Sequence, residues 1–475
     1  MANKGHQRGG NSSKEPEEPM HRVFLPGGCK NGLMTTSTKT RPTYDPATEV
    51  VDICRDLIRM DTTNFGDSSG PGERTSAEHV ATLLSDVGIE PTVIESEPGR
   101  ASVIARWGGH GDGAGDALLL HGHLDVVPAD KQDWQVHPFS GEIQDGYVWG
   151  RGAIDMKDFD AMLLSVVRAR AKAGVVPDRP LVLCFTADEE AGGHKGAEYL
   201  IEKHPELLAD CTEAIGEVGG FSTTVRGQRF YLIEAAEKGM AWMKLTAKGN
   251  AGHGSMRHPD NAVTELAAAV TRIGQYDWPV RLTPSMQVLL SAVGELAGVE
   301  ATPANAEALV EEFGTATRML GAVIRHSTNP TMLSAGYKVN VVPGEASAHI
   351  DGRFLPGYED EFFSTLAGLL GENIEVDYVS KQHALETTFD GDLVDAITAS
   401  ILEEDPGATV APYLMSGGTD AKHWKKLGIR SFGFAPLRLP PDLDFTALFH
   451  GVDERVPVDA LEFGARVFDR FLDRA

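Results

Sequence analysis

Apolar residues first recur with a helical period at Val50, Val51, Ile53, Cys54, Leu57 and Ile58, one face of a helix that Asp45 would cap and Pro46 would open. A second helix is expected from Thr75, with Glu78 completing a capping box and Gly88 ending it. Short apolar runs follow at 91–95, 101–107, 117–121, 181–185 and 212–216, and helical periods lie between them at 159–173 and 196–203. Strands alternating with helices predict an α/β layer with a mostly parallel sheet, whose ligands sit at the carboxyl ends of its strands.

From about 240 to 353 the pattern changes. A strand-like 241–247, an Ala-rich helix at 261–273, a helix at 304–320 and strands near 332–341 and 345–354 suit an α+β insert. The α/β pattern resumes with 393–403, 431–434 and a closing helix at 458–472. The predicted organisation is one α/β catalytic domain in two pieces, 41–239 and 355–475, interrupted by a smaller α+β domain at 240–354. Residues 1–40, rich in Gly, Ser, Lys, Glu and Pro without a period, read as a disordered tail in which Met34 offers a second start.

With 475 residues the chain is too long for one ordinary core, which supports the two-domain reading. A formal charge of −26 argues against nucleic acid as a partner, since a polyanionic backbone needs a basic footprint. Cys29, Cys54, Cys184 and Cys211 show no CxxC spacing and read as free thiols. No apolar run reaches the roughly 18 residues of a spanning helix, and no secretory signal pattern opens the chain, so the expectation is a cytoplasmic protein without a membrane partner.

Acidic residues and histidines gather where strands should end. The run at 117–120 leads into His121-Gly-His123-Leu-Asp125, and a glycine-rich turn, Gly150-Arg-Gly-Ala-Ile-Asp155, delivers a carboxylate before a helix. Glu189 and Glu190 follow the strand at 181–185, Glu217 follows the one at 212–216, and His450 lies in a late loop. Singly, His121 reads as a structural histidine, Asp155 and Glu190 as helix caps and His450 as surface. The adjacent Glu189 and Glu190 are harder to place without a cation, because like charges at a strand end repel. Together the clusters hold the inventory of a two-metal hydrolytic site, with a glutamate left over to act as base. Nitrogen and oxygen ligands without thiolate suit zinc, cobalt or manganese.

The segments HGHLDVVP, GRGAIDMK, TADEEAGG, IGEVGG and FHG resemble, in the same order, the motifs of the M20 family of metallopeptidases and amidohydrolases. The resemblance runs from about residue 45 to the C-terminus. It implies two divalent ions, zinc first with cobalt or manganese as alternatives. His123 and Glu217 would ligate one ion, Glu190 and His450 the other, and Asp155 would bridge them. Asp125 would orient His123, while Glu189 would take a proton from the attacking water and pass it to the leaving amine.

The same resemblance makes the insert a lid through which the chain forms a homodimer. His253, in Gly252-His253-Gly-Ser, would reach the partner's site and stabilise the oxyanion, although a glycine-flanked histidine also caps strands. Arg353 would hold a substrate carboxylate, and Asn340 in Tyr337-Lys-Val-Asn340 belongs to the same substrate-facing lid. Gly417 and Gly418 would line the pocket or form a plain turn. The implied reaction is hydrolysis of an amide or peptide bond beside a free carboxylate, in a small peptide or N-acyl amino acid. The lid most resembles the carboxypeptidase S-like and N-acyl-amino-acid hydrolase branch. A dipeptidase and a catalytically silent binding protein are the alternatives. One departure concerns packing: Asp158 and Phe159 stand where many relatives have glycine.

Overall fold

The strand Ala117–His123 is buried along its whole length, as a strand covered on both faces must be. It lies near the middle of a ten-stranded sheet in a computed structural model that describes residues 43–109 and 116–475. The expected tail at 1–40, with Met34 and Cys29, lies outside the described residues. Across the sheet the strands run Pro91–Glu97, Arg100–Trp107, Leu181–Thr186, Ala117–His123, Cys211–Gly216, Arg430–Gly433, Gln228–Glu237 and Leu385–Glu386. Thr409–Met415 and Phe221–Val225 also pair with Gln228–Glu237. The ladders from Leu181–Thr186 through Ala117–His123 and Cys211–Gly216 to Arg430–Gly433 are parallel, and antiparallel strands flank them.

Register decides what the parallel strands deliver. Leu120 lies opposite Leu183 and Ile215, and His123 lies opposite Thr186. The segments after His123, Thr186 and Gly216 therefore leave the sheet at one edge, its carboxyl end. The helix Lys157–Lys172 packs with Val50–Arg59 and Val458–Phe471. Phe159 meets Phe468 edge-on at 5.5 Å, so the departure at Phe159 fills an aromatic core contact, while Asp158 beside it is buried with its carboxyl pushed up by burial.

A second, four-stranded antiparallel sheet runs Ser327–Ala335, Glu345–Phe354, Gly239–Lys248 and Ile374–Gln382. Along Glu345–Phe354 alternate residues, Ala346 to Phe354, are buried beneath the helices Ala262–Gly274 and Glu359–Leu370. The chain passes from the large sheet to the small one at a single residue, Lys238. The layer runs past the boundary expected at 354, because Glu359–Leu370 and Ile374–Gln382 complete it. Conversely, Pro284–Ala297 lies within the expected insert yet buries Met286, Leu289, Leu290 and Val293 in the core of the large sheet, against Thr409–Met415.

Local differences have local causes. The capping box expected from Thr75 does not form: the helix begins at Arg74, Glu73 turns inward to Arg100, and Glu78 accepts from Arg74 instead (2.9 Å). The helix expected at 304–320 divides into Ala306–Glu311 and Thr317–Gly321 around Gly314, whose φ is 57°. The strand expected to reach 341 ends at Ala335, where Gly336 turns with φ 68°. Among the described residues no helix is long and apolar enough to cross a membrane.

Candidate metal centre

Each cluster residue is delivered by a turn whose geometry is fixed elsewhere. His123 ends its strand with Nδ1 3.0 Å from the backbone carbonyl of Asp125 and 3.6 Å from its carboxylate, which leaves Nε2 free to face the cluster. Asp155 leaves a glycine-rich turn pinned by Glu454, which accepts from the Ile154 backbone (2.8 Å) and pairs with Arg151. Asp188, left-handed at φ 66°, turns the chain into the single helical turn Glu189–Ala191. His450 follows the turn Phe445–Ala447 and is itself left-handed at φ 55°.

These turns bring six side chains together. His123 Nε2 lies 3.2 Å from Asp155 Oδ1 and 3.2 Å from Glu217 Oε2. His450 Nε2 lies 3.1 Å from Asp155 Oδ2 and 3.1 Å from Glu190 Oε2. Asp155 thus turns one oxygen to each imidazole. Glu189 Oε2 stands further off, 3.9 Å from His123 Nε2. Asp125, fully buried, is the hub behind them: Oδ1 accepts from the Glu189 backbone (3.1 Å), and Oδ2 accepts from the Glu190 backbone (3.1 Å) and from Asn64 Nδ2 (2.9 Å).

The electrostatics follow from burial and mutual repulsion. Burial, then the charge of Glu217, pushes the Glu189 carboxyl well above its ordinary range. Burial and Asp155 raise Glu190, and burial lifts Glu217 to about 7 although His123 opposes it. Burial also works against the Asp155 carboxylate and against protonated His123, but each is overruled by its ionic neighbours. Asp155 is lowered and His123 raised well above the usual imidazole value. Hydrogen bonds that the His450 imidazolium donates to Asp155 and Glu190 raise its pKa to about 10. Four carboxyl groups thus surround two imidazoles whose affinity for a cation they raise.

A metal pair fits this arrangement. Three of the four carboxyls are held above their ordinary range by burial and mutual repulsion, a cost that dications beside them would relieve, and Glu190 Oε1 is buried with no partner among the described residues. His123, Glu189 and Glu217 present ligand atoms within 4.8 Å of one another, as do His123, Asp155 and Glu190. Oxygen and imidazole donors without sulfur suit a zinc-like ion.

The other expected residues lie apart from the cluster. His121 is 2% exposed, packs edge-on to Trp424 at 5.6 Å and is pushed by burial down to about 3, so it is a neutral core group. A side chain at Gly216 would strike its ring, which accounts for the glycine before Glu217. His253 is exposed on a two-residue strand, Gly252–His253, with Nδ1 2.8 Å from Ser255 Oγ. Asn340 adjoins it, accepting from the Gly254 backbone (2.9 Å). Arg353 sits on the small sheet with its guanidinium held by Asp351 (2.7 and 3.2 Å). Gly417 and Gly418 follow Thr409–Met415, where Gly418 lies against Lys422 and Glu237. The residues that sequence reasoning passed over are Asn64 and Asp188, which flank Asp125 (Asn64 Nδ2 to Asp188 Oδ1, 3.1 Å). Asn64 carries no charge and no recognisable spacing, and Asp188 is masked by the two glutamates that follow it.

Residues 119–474 match the profile of Peptidase family M20/M25/M40. N-fatty-acyl-amino acid synthase/hydrolase PM20D1 of Xenopus tropicalis is 26% identical over 448 residues, covering 87% of this chain and 83% of that protein. Aminoacylase-1 of Sus scrofa is 28% identical over 386 residues, covering 80% of this chain and 84% of that protein. Among solved structures, an M20 family metallo-carboxypeptidase from Sulfolobus solfataricus shares the fold with a TM-score of 0.66 at 19% identity, over 90% of this chain and 99% of that one.

Proposed function

Since this chain belongs to Peptidase family M20/M25/M40 and is a hydrolase of that family, we propose that it cleaves the amide bond of an N-acyl amino acid or small peptide beside a free carboxylate, using two divalent ions. The observation that carries the reading is Asp155, whose two oxygens face His123 and His450 at 3.2 and 3.1 Å, an arrangement that supports two adjacent subsites. His123 and Glu217 belong to one, Glu190 and His450 to the other. Zinc is the first candidate for both, with cobalt or manganese next.

When bound, the ion pair would polarise the scissile carbonyl and lower the pKa of the attacking water. Glu189 accepts that water's proton on the carboxylate facing His123 and returns it to the leaving nitrogen. Asp125 holds His123 and the backbone of Glu189 and Glu190 in one frame. Arg353 fixes the substrate carboxylate, with Asp351 aligning its fork. The names of the two relatives, an N-fatty-acyl-amino acid synthase/hydrolase and an aminoacylase, favour N-acyl amino acids as substrates.

The assembly we infer is a homodimer through the small sheet. Its edge strand Ser327–Ala335 exposes Met332 and Leu333, and the following turn exposes Tyr337 and Val339. An uncovered edge with apolar side chains is a pairing surface. Such pairing would let His253 serve the partner's site. The three described cysteines are free and buried, which suits the reducing cytoplasm.

The test is a hydrolysis panel of N-acyl amino acids, dipeptides and their C-terminal amides, with and without chelator. Turnover of N-acyl amino acids that is lost on chelation and on amidation of the carboxylate supports the reading. Turnover of dipeptides alone would narrow it to a dipeptidase, and chelator-resistant turnover would exclude the metal site.

A further inference from the structure

We propose that Asn64 is a positioning residue that sets the separation of the two metal subsites, acting through Asp125 and Asp188. The proposal rests on the two-ion reading above.

Asn64 is 4% exposed, and every hydrogen-bonding position of its side chain is used. Nδ2 donates to Asp125 Oδ2 (2.9 Å) and to Asp188 Oδ1 (3.1 Å). Oδ1 accepts from Arg100 Nη2 (3.1 Å) and from the Gly66 backbone (3.0 Å). The orientation of the amide follows from its neighbours, because the reverse placement would set its NH2 against two donors and its oxygen against two carboxylates. Its backbone is fixed as well: the Asn64 N–H donates to the Val126 carbonyl (2.9 Å), and Thr63 bridges to Val126. Arg100, buried in turn, is held by Glu73, whose side chain is wholly inaccessible. A continuous buried path therefore runs from Glu73 through Arg100 and Asn64 to Asp125.

Asp125 and Asp188 are the two supports of the turn that carries Glu189 and Glu190. Asp125 accepts the backbone N–H groups of Glu189 and Glu190 and lies beside His123. Asp188 begins the turn and is tied at its other oxygen to the Lys195 backbone (3.0 Å). One amide thus joins Asp125, whose backbone carbonyl meets His123 Nδ1 at 3.0 Å, to the start of the turn bearing Glu190 in the other subsite. An amide is suited to this place. It offers two donors to two carboxylates, whereas aspartate would set a third carboxylate against them and leucine would leave Asp125, Asp188 and Arg100 each short of a partner.

Groups that hold a metal's ligands in place are typically worth about 10–100-fold in affinity or activity. For Asn64→Ala the expected outcome is a 10–100-fold weaker second ion in a cobalt titration, with the first ion less affected. The visible absorption of the two-cobalt form should shift, and kcat should fall about 10–100-fold with KM nearly unchanged. Asn64→Asp, matched in size but with its donors removed, should lose more. Should Asn64→Ala not fold, Arg100→Lys, which keeps the charge facing Glu73, should show the same pattern more weakly. In a cycle with Asp188→Ala the effects on ion affinity should be less than additive, because both act on one turn. Wild-type second-ion affinity and cobalt absorption in a folded Asn64→Ala protein would overturn the proposal, as would an effect confined to thermal stability. A wild-type protein that binds fewer than two ions would instead overturn the two-ion reading itself.

Discussion

Replacing Glu189 by glutamine separates the base from the ligands. Glu189 Oε2 lies 3.9 Å from His123 Nε2, whereas the nearest oxygens of Asp155 and Glu217 lie at 3.2 Å, so its carboxylate is the one set back from the imidazole. Glutamine keeps the size of the side chain and the backbone bond to Asp125 Oδ1 (3.1 Å) but cannot accept a proton. Loss of a positioned general base costs about 10²–10⁴ in rate, or about 3–5 kcal/mol of barrier. Glu189→Gln should therefore bind two ions, as counted by elemental analysis, yet show kcat reduced at least about 100-fold with an N-acyl amino acid. Its stability without metal supplies a second readout. Burial and Glu217 raise the Glu189 carboxyl in the fold, so the folded state holds that proton more tightly and stability is lost as pH rises above the ordinary carboxylate value. Glutamine cannot ionise, so the metal-free variant should match wild type in acid and exceed it in urea resistance at neutral pH. A kcat within tenfold of wild type at full metal content would refute the base assignment, and loss of an ion would make Glu189 a ligand.

His450→Ala should reduce the bound ions from two to one, because His450 shares its contacts with Glu190 and Asp155 and not with Glu217; loss of both ions would show that the subsites are not separable. His253→Ala should lower kcat more than ion affinity, and mixing it with Glu189→Gln under exchange conditions should restore activity in the heterodimers. Full activity of His253→Ala in a demonstrated monomer would end the partner-site role. Lys238, 1% exposed and with its ammonium donating to the Ala322 carbonyl (2.6 Å), is lowered by burial and by Arg353 to about 7 from an ordinary 10.5. The unfolded chain thus binds the extra proton between about pH 7 and 10.5, so this group's cost is full below pH 7 and fades as pH rises. Lys238→Met should raise urea stability at pH 6 by about 4 kcal/mol, after about 1 kcal/mol is lost with the hydrogen bond, and by little at pH 10. A gain independent of pH would contradict the assignment.

The large sheet was legible because a strand covered on both faces must be apolar throughout, and 117–121 and 181–185 are such runs. The boundary of the insert was not legible at 354, since a short helix and a strand with exposed, mixed residues such as Ile374–Gln382 carry no period that assigns them to either layer. Pro284–Ala297 fell inside the expected insert by position alone. Its apolar stripe shows that it packs, but the partner, Thr409–Met415, is set by contacts more than a hundred residues away along the chain.

The same distinction divides the site. His123, Asp155, Glu189, Glu190, Glu217 and His450 are legible because acid and imidazole chemistry demands particular residue types, and each sits at a strand end or in a turn whose neighbours are adjacent in sequence. Asn64 meets Asp125 and Asp188 from 61 and 124 residues away, and Arg100 reaches it from 36. Nothing local demands an amide there. The demand arises only when the register of the parallel strands sets His123 opposite Thr186 and so brings Asp125 beside the turn at Glu189. Two buried carboxylates then need donors that carry no negative charge, and a third segment must supply them. Such a requirement is a property of the assembled sheet edge, and a neutral residue in an unpatterned loop is how the chain meets it.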